Sequence, residues 1–137
     1  MADYVFKTEP SEYSFADLQA KGGGVWDGVR NPVALRNMRA MAKGDRVFVY
    51  HTGAEKAVVG IARATSAAYP DPKAPAGSSL VVIDLAPVSP LKNAVSLATL
   101  KADPEFAESP LVRQGRLSVV PLSDRQAARI EKLGEGR

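Results

Sequence analysis

The stretch VWDGVRNPVALRNMRAM, residues 25–41, contains the clearest helix start in the chain and therefore anchors the prediction of the fold. The pair Asn31-Pro32 predicts this start, because an asparagine side chain caps free backbone amides and a proline at the first helical position loses no hydrogen bond. Apolar residues then recur at intervals of three and should face the core. They are Leu35, Met38 and Met41.

The same stretch contains Trp26, the only tryptophan, with the polar residues Asp27, Arg30 and Asn31 close behind it. A tryptophan face can stack on a nucleic-acid base, Asn and Asp can reach the edge of a base, and Arg can hold a phosphate. Two interpretations stay open from the residues alone. Trp26 either points into the core behind a polar turn or forms the floor of a binding site.

The positive charge of the chain is concentrated around this stretch. The net charge is +3, yet residues 21–46 contain six basic and two acidic residues, while the rest has twelve basic and thirteen acidic ones. A basic patch of this kind suits an anionic partner such as nucleic acid. We predict that Arg36, Arg39 and Lys43 form a phosphate-binding rim; the alternative is a solvated helix face.

Length and composition predict one globular domain over residues 1–137, with 45% hydrophobic and 24% charged residues. The absence of cysteine excludes disulfides and thiolate chemistry and is compatible with a reducing compartment. No apolar run approaches the ~20 residues of a membrane span, and no signal peptide is evident. We expect a cytoplasmic protein without a membrane partner, and a monomer is favoured.

Periodicity and capping signals predict short strands with helices at the periphery. Strands are expected at 4–9, 46–52, 57–69, 80–91 and 117–122, with a bulge or bend at Gly60. Capping boxes at Ser14–Asp17 and Ser123–Gln126 predict two helices, the second ending just before Gly134. Further helices are expected after Asn31 and after Ser96, and short helical turns at 103–116. The pattern predicts an α+β fold, a small mixed or antiparallel barrel decorated by helices.

Signals for catalysis are weak. His51 is the only histidine, no serine sits in a nucleophile elbow, and the acids show no metal-binding spacing. No metal or cofactor is therefore expected. Lys7, Thr8 and Glu9 end the first strand, where they could face a ligand at a barrel mouth or simply face solvent.

Several motifs follow one another in the order found in the EVE domain, and together they cover nearly the whole chain. They are FKTEP (6–10), WDGVRN (26–31), VYHT (49–52), AYPDP (68–72) and RLSV (116–119). The chain thus resembles this family, whose fold is PUA-like, a small β-barrel with peripheral helices related to YTH and ASCH modules. The resemblance implies a module that reads a flipped, modified base. Examples are methylated or hydroxymethylated cytosine in DNA, or a modified RNA base. It implies no catalysis.

The resemblance also implies which residues form the base pocket. They are Lys7, Thr8, Glu9, Trp26, Arg30, Asn31, Tyr50, His51, Thr52, Tyr69, Pro70, Asp71, Arg116, Leu117 and Ser118. The chain departs from many relatives at Pro32 and Val33, where an aromatic residue and Gln are common, which bears on the base that is preferred.

Two alternatives remain at this stage. The first is a small enzyme acting on a nucleotide or nucleoside, with His51 or Glu9 as the acid–base group. The second is a protein-interaction module or a sensor of a free nucleotide, in which the basic helix is a solvated face.

Overall fold

A computed structural model describes residues 1–135 and shows a mixed sheet with helices packed around it. The strands are β1 (Asp3–Thr8), β2 (Gly24–Trp26), β3 (Arg46–His51), β4 (Ala57–Ala64), β5 (Tyr69–Pro70), β6 (Val81–Ser96) and β7 (Val119–Leu122). The helices are α1 (Phe15–Lys21), α2 (Pro32–Arg39), α3 (Leu97–Ala102), α4 (Pro110–Arg113) and α5 (Asp124–Gly134), with a 3₁₀ turn at Pro104–Phe106. Residues 136 and 137 of the predicted domain lie outside the described residues.

The sheet runs in the order β2-β6-β4-β3-β1-β7, and β5 pairs with the start of β6. β1 and β3 are parallel, in a register that joins Asp3 to Arg46 and Thr8 to His51, while the other pairs are antiparallel. The sheet curls into a half-barrel. The predicted α+β class and mixed barrel are thus confirmed, and the parallel pair brings the polar ends of β1 and β3 side by side.

Two strand boundaries differ from the prediction. β4 ends at Ala64, since the chain bends there before it returns as β5, and β6 continues to Ser96 because its last residues pair with the start of β4. The predicted irregularity at Gly60 is confirmed, because the register shifts near this residue where β4 pairs with β3 and where it pairs with β6. A Cβ at this position would lie 2.5 Å from the ring of Phe15, so the glycine makes room for the side chain that anchors α1.

The capping signals define the helices well. Both predicted capping boxes are present, and Gly22 ends α1 with a φ of 69°, a left-handed conformation that favours glycine. Asn31 begins α2 as predicted, because its Oδ1 accepts from the amides of Val33 and Ala34 at 2.9 and 3.1 Å. The prediction for Gly134 is wrong: it is the last residue of α5, and the close side chain of Leu91 explains why it is small.

The core lies between the concave sheet and the helices. α2 contributes Leu35 and Met38 to it, and Met41 follows just beyond the helix, as predicted. Phe6 and Phe48, on neighbouring strands, are fully buried at its centre. None of the helices in residues 1–135 has the length and apolar character that crossing a membrane would require.

Candidate functional site

A cavity of about 550 Å³ opens where β1 ends, beside the turn that joins β2 to α2. Its walls come from residues 7–9, 12–13 and 24–30, together with Lys21 and Ser118. The volume lies within the range of about 300–1,000 Å³ that is typical of small-molecule sites. The ends of separate elements therefore meet around one space that is large enough for a ligand.

Trp26 belongs both to the core and to this cavity. Trp26 is 7% exposed. The centroid of its ring lies 5.6 Å from the ring centroid of Phe6, and 5.8 Å from that of Tyr13, which it meets edge to face. Its backbone pairs with Ile83 of β6, which fixes the position of the ring. Trp26 therefore packs in the core and also lines the cavity, and its role as the floor of a binding site stays a prediction.

Glu9 is held at the rim by its neighbours. Its Oε1 accepts from the amide of Ser11 at 3.4 Å and from the hydroxyl of Ser11 at 3.1 Å, and its Oε2 accepts from Thr52 Oγ1 at 3.2 Å. Gly53 has a φ of 79°, and a Cβ there would lie 2.9 Å from Glu9 Oε2. Thr52 does not line the cavity, but it fixes the orientation of a carboxylate that does.

Lys7 lies between the cavity and the segment that precedes β7. Its Nζ donates to the carbonyl of Gly115 at 3.0 Å and lies 5.4 Å from the ring centroid of Tyr50. Its backbone amide donates to the carbonyl of Ser118 at 2.9 Å. Burial lowers the pKa of the Lys7 amine below the usual lysine range, because removal from water disfavours the charged form.

Charges of both signs line the cavity and balance formally. The cations are Lys7, Lys21 and Arg30, and the carboxylates are Glu9, Glu12 and Asp27. Within residues 1–135, the ion pairs of basic side chains involve Arg46, His51, Arg113, Arg125 and Arg129. The three cations of the cavity are thus not engaged by carboxylates in that part of the chain. Burial raises the pKa of Tyr13, and Asp17 and Asp27 add to this effect.

His51 does not line the cavity and has a structural position instead. Its Nε2 accepts from the backbone amide of Phe15 at 3.0 Å, and its Nδ1 lies 2.7 Å from Glu55 Oε1. A neutral ring with the proton on Nδ1 satisfies both contacts. His51, buried at 8% exposure, therefore supports the start of α1.

The fifteen residues that the family resemblance implies for the base pocket divide into two groups. Lys7, Thr8, Glu9, Trp26, Arg30 and Ser118 come together around the cavity. Asn31, Tyr50, His51, Thr52, Tyr69, Pro70, Asp71, Arg116 and Leu117 do not line it. Of these, Asn31, Arg116 and Leu117 line a neighbouring groove, and Tyr69 donates to Asp84 Oδ1 at 2.6 Å, which raises the pKa of the tyrosine.

Several residues that line the cavity were not among the predicted pocket residues. Glu12 and Tyr13 follow β1, and Lys21 ends α1 with its Nζ 5.1 Å from the ring of Tyr13. Val25 precedes Trp26 and is 50% exposed. The sequence places Lys21 in the positive segment, but only the three-dimensional arrangement shows that the end of α1 borders the same cavity as Trp26.

The family model of the EVE domain matches residues 2–133. The chain belongs to the EVE domain family. This EVE domain is similar to a Rhodopseudomonas palustris protein solved by NMR, with 41% identity and a TM-score of 0.91 over 98% of this chain and 93% of that chain. An Agrobacterium tumefaciens crystal structure is 34% identical, with a TM-score of 0.93 over 98% and 93% of the two chains.

A human relative is similar over the whole domain. The human THYN1 protein, solved in complex with 5-methylcytosine containing DNA, is 25% identical with a TM-score of 0.89, over 98% of each chain. Human thymocyte nuclear protein 1 is 35% identical over 80 residues, or 50% of this chain and 36% of that protein. The aligned part thus spans about a third of such curated relatives. The likeness of fold extends to a Zymomonas mobilis ASCH protein, at 16% identity and a TM-score of 0.60, in line with the PUA-like expectation.

The predicted phosphate rim lies on α2 of this EVE domain and just after it. Arg36, Arg39 and Lys43 are exposed, and Arg39 donates to the carbonyl of Ser79. None of the three lines the cavity, although α2 begins two residues after Arg30, which does line it. Within residues 1–135, no three His, Cys, Asp or Glu side chains are grouped as a metal site would need.

Proposed function

We propose that this EVE domain binds nucleic acid and holds one modified base in the cavity against Trp26, without carrying out chemistry on it. The position of the single tryptophan supports this proposal most strongly, because its ring is fixed by the core and still borders the cavity. The human THYN1 protein, solved with 5-methylcytosine containing DNA, supports DNA as the ligand ahead of RNA.

The chemistry of the cavity suits an uncharged base. An aromatic surface stacks on a base with about 1–3 kcal/mol, which helps to offset the few kcal/mol needed to take a base out of its stack. The carboxylates of Glu9 and Asp27 can accept from a base amino group, and Ser118 adds a hydroxyl. Formal neutrality of the lining favours a base over a phosphate inside the cavity, and the phosphates would then remain outside.

Selectivity for a modified cytosine should be modest if it rests on burial alone. One methyl group is worth about 0.8 kcal/mol when fully buried, which corresponds to about fourfold in the dissociation constant. A hydroxymethyl group would gain only where its hydroxyl finds a partner, since an unpaired buried hydroxyl is costly. We therefore expect a preference of a few-fold for methylated cytosine over cytosine.

The positions of the two candidate acid–base groups favour binding over catalysis. Both ring nitrogens of His51 are engaged away from the cavity, one by the Phe15 amide and the other by Glu55. The Glu9 carboxylate accepts three hydrogen bonds from Ser11 and Thr52, which engage both of its oxygens. Turnover of a modified nucleotide that Glu9→Gln abolishes would support the enzyme instead.

The test uses the fluorescence of Trp26, which no other tryptophan obscures. Duplex oligonucleotides that carry a central 5-methylcytosine, 5-hydroxymethylcytosine or cytosine are titrated into the protein, with RNA of the same sequence in parallel. We expect saturable quenching, tightest for a modified cytosine in DNA. Tighter binding to modified RNA would move the proposal to RNA, and equal affinity for all oligonucleotides would refute base reading.

The variant Arg30→Gln provides the second part of the test, because Arg30 lines the cavity. Its matched control is Arg63→Gln, which removes an exposed cation from β4, away from the lining. Arg30→Gln should weaken oligonucleotide binding more than Arg63→Gln does. Equal effects would show that only the overall charge matters.

A further inference from the structure

A second concavity, of about 320 Å³, lies beside the cavity. It is lined by Asn31 and Val33 at the start of α2 and by the segment 114–117. Consecutive residues line the two spaces, since Arg30 lines the first and Asn31 the second. Lys7 connects them as well, because it lines the cavity and its Nζ donates to the carbonyl of Gly115 in the groove wall.

The charge of this groove differs from that of the cavity. Its lining contains one cation, Arg116, two side-chain amides and no carboxylate, whereas the cavity lining contains as many carboxylates as cations. Arg116 is exposed and forms no ion pair within residues 1–135. Such a lining suits a phosphate, while the balanced cavity suits a base.

A third concavity, which also adjoins the cavity, has the opposite character. It shares Gly24 and Val25 with the cavity and extends to Tyr69 and Asp84. Its lining contains a carboxylate and no cation, and Tyr69 already donates to that carboxylate. A negatively charged strand is therefore not favoured on this side.

We infer that the groove of Asn31, Val33 and residues 114–117 holds the phosphate and sugar next to the bound base, so that the strand leaves the cavity over Arg116. This inference rests on the proposed function and adds the path that the nucleic-acid strand takes from the cavity. Arg116 contacts the phosphate, and Val33, 38% exposed, offers an apolar surface to the sugar. Asn31 uses Oδ1 to cap α2, which leaves its Nδ2 as a donor to the strand.

The test compares ligands of increasing length on the whole chain. The nucleoside 5-methyl-2′-deoxycytidine reaches only the cavity, whereas a DNA oligonucleotide with a central 5-methylcytosine also reaches the groove. Arg116→Gln should leave nucleoside affinity unchanged and weaken oligonucleotide binding by about fivefold. The slope of the logarithm of affinity against the logarithm of salt concentration should fall by about 1.

The matched control is Lys73→Gln, which removes an equal charge from the exposed loop after β5, outside the linings of the cavity and of the groove. It should change oligonucleotide affinity less than Arg116→Gln does. Equal effects of the two variants, or an equal loss of nucleoside and oligonucleotide binding in Arg116→Gln, would overturn the inference while base binding stands. Failure of the wild type to bind any oligonucleotide would refute the proposed function and this inference with it.

Discussion

Replacing Trp26 by leucine separates its two roles, because stability and base binding should change by different amounts. Leucine keeps an apolar side chain at the end of β2 but removes the aromatic contacts with Phe6 and Tyr13. Each aromatic pair is worth about 0.5–1.5 kcal/mol, and the lost volume costs on the order of 1 kcal/mol more. Unfolding should thus require about 2–4 kcal/mol less, which a domain with about 5–15 kcal/mol of stability tolerates.

The loss of the stacking surface should be visible in binding. Removing an aromatic platform costs about 1–3 kcal/mol per base, so Trp26→Leu should raise the dissociation constant for methylated DNA by about 5- to 150-fold. The assay is the fluorescence anisotropy of a labelled oligonucleotide at low temperature, where circular dichroism shows that the variant is folded.

Phe106→Leu is the matched control for this variant. Phe106 is fully buried in the 3₁₀ turn and does not line the cavity, so its replacement lowers stability without removing a stacking surface. We expect its DNA affinity to equal that of the wild type. If Trp26→Leu binds as tightly as Phe106→Leu, Trp26 serves the core alone and the stacking argument is refuted.

Three further predictions concern the rim, the fold and acid stability. Arg36→Gln should weaken binding to methylated and unmethylated DNA by the same factor and lower the salt slope by about 1, because phosphate contacts carry no base information; a change in the ratio of the two affinities would contradict this. Gly60→Ala should lower the free energy of unfolding by about 1–3 kcal/mol in urea titrations, since a Cβ would meet the ring of Phe15 at 2.5 Å; an unchanged midpoint would show that the ring can move freely. The hydrogen bond from Arg129 lowers the pKa of Asp103 in the folded protein. As pH falls, the Asp103 carboxylate is therefore protonated in the unfolded chain before it is protonated in the folded protein. Asp103→Asn should therefore be less stable than the wild type by about 1 kcal/mol at pH 7, and urea titrations should show the difference vanishing below the folded pKa; a difference independent of pH would refute the electrostatic cause.

The helix boundaries could be predicted from the sequence because capping is local. Asn31 with Pro32, and Ser14 with Asp17, satisfy backbone amides within a few residues, so the signal lies in adjacent letters. Gly134 shows the limit of this reasoning. It looks like a residue just past a helix end, but its role depends on Leu91, more than forty positions away in the chain.

The candidate site depends on contacts between residues that are far apart in the chain. The sequence and the family resemblance grouped His51 and Asn31 with the cavity residues, yet each has a capping role in the structure. Pairing of β1 with β3 brings Thr52 to Glu9, and the end of α1 brings Lys21 to Tyr13. No local pattern in the sequence predicts these contacts, because they depend on the three-dimensional arrangement of the strands and helices.

The indole N–H of Trp26 gives the most direct test of the central proposal, because the chain has one tryptophan and therefore one indole signal in an NMR spectrum of ¹⁵N-labelled protein. The protein is titrated with a duplex that contains a single 5-methylcytosine and with the same duplex containing cytosine. A base held against Trp26 predicts a saturating shift of this signal at lower concentration of the methylated duplex. An indole signal that stays in place while backbone amides of α2 shift would contradict it, because the DNA would then bind the basic helix without placing a base in the cavity.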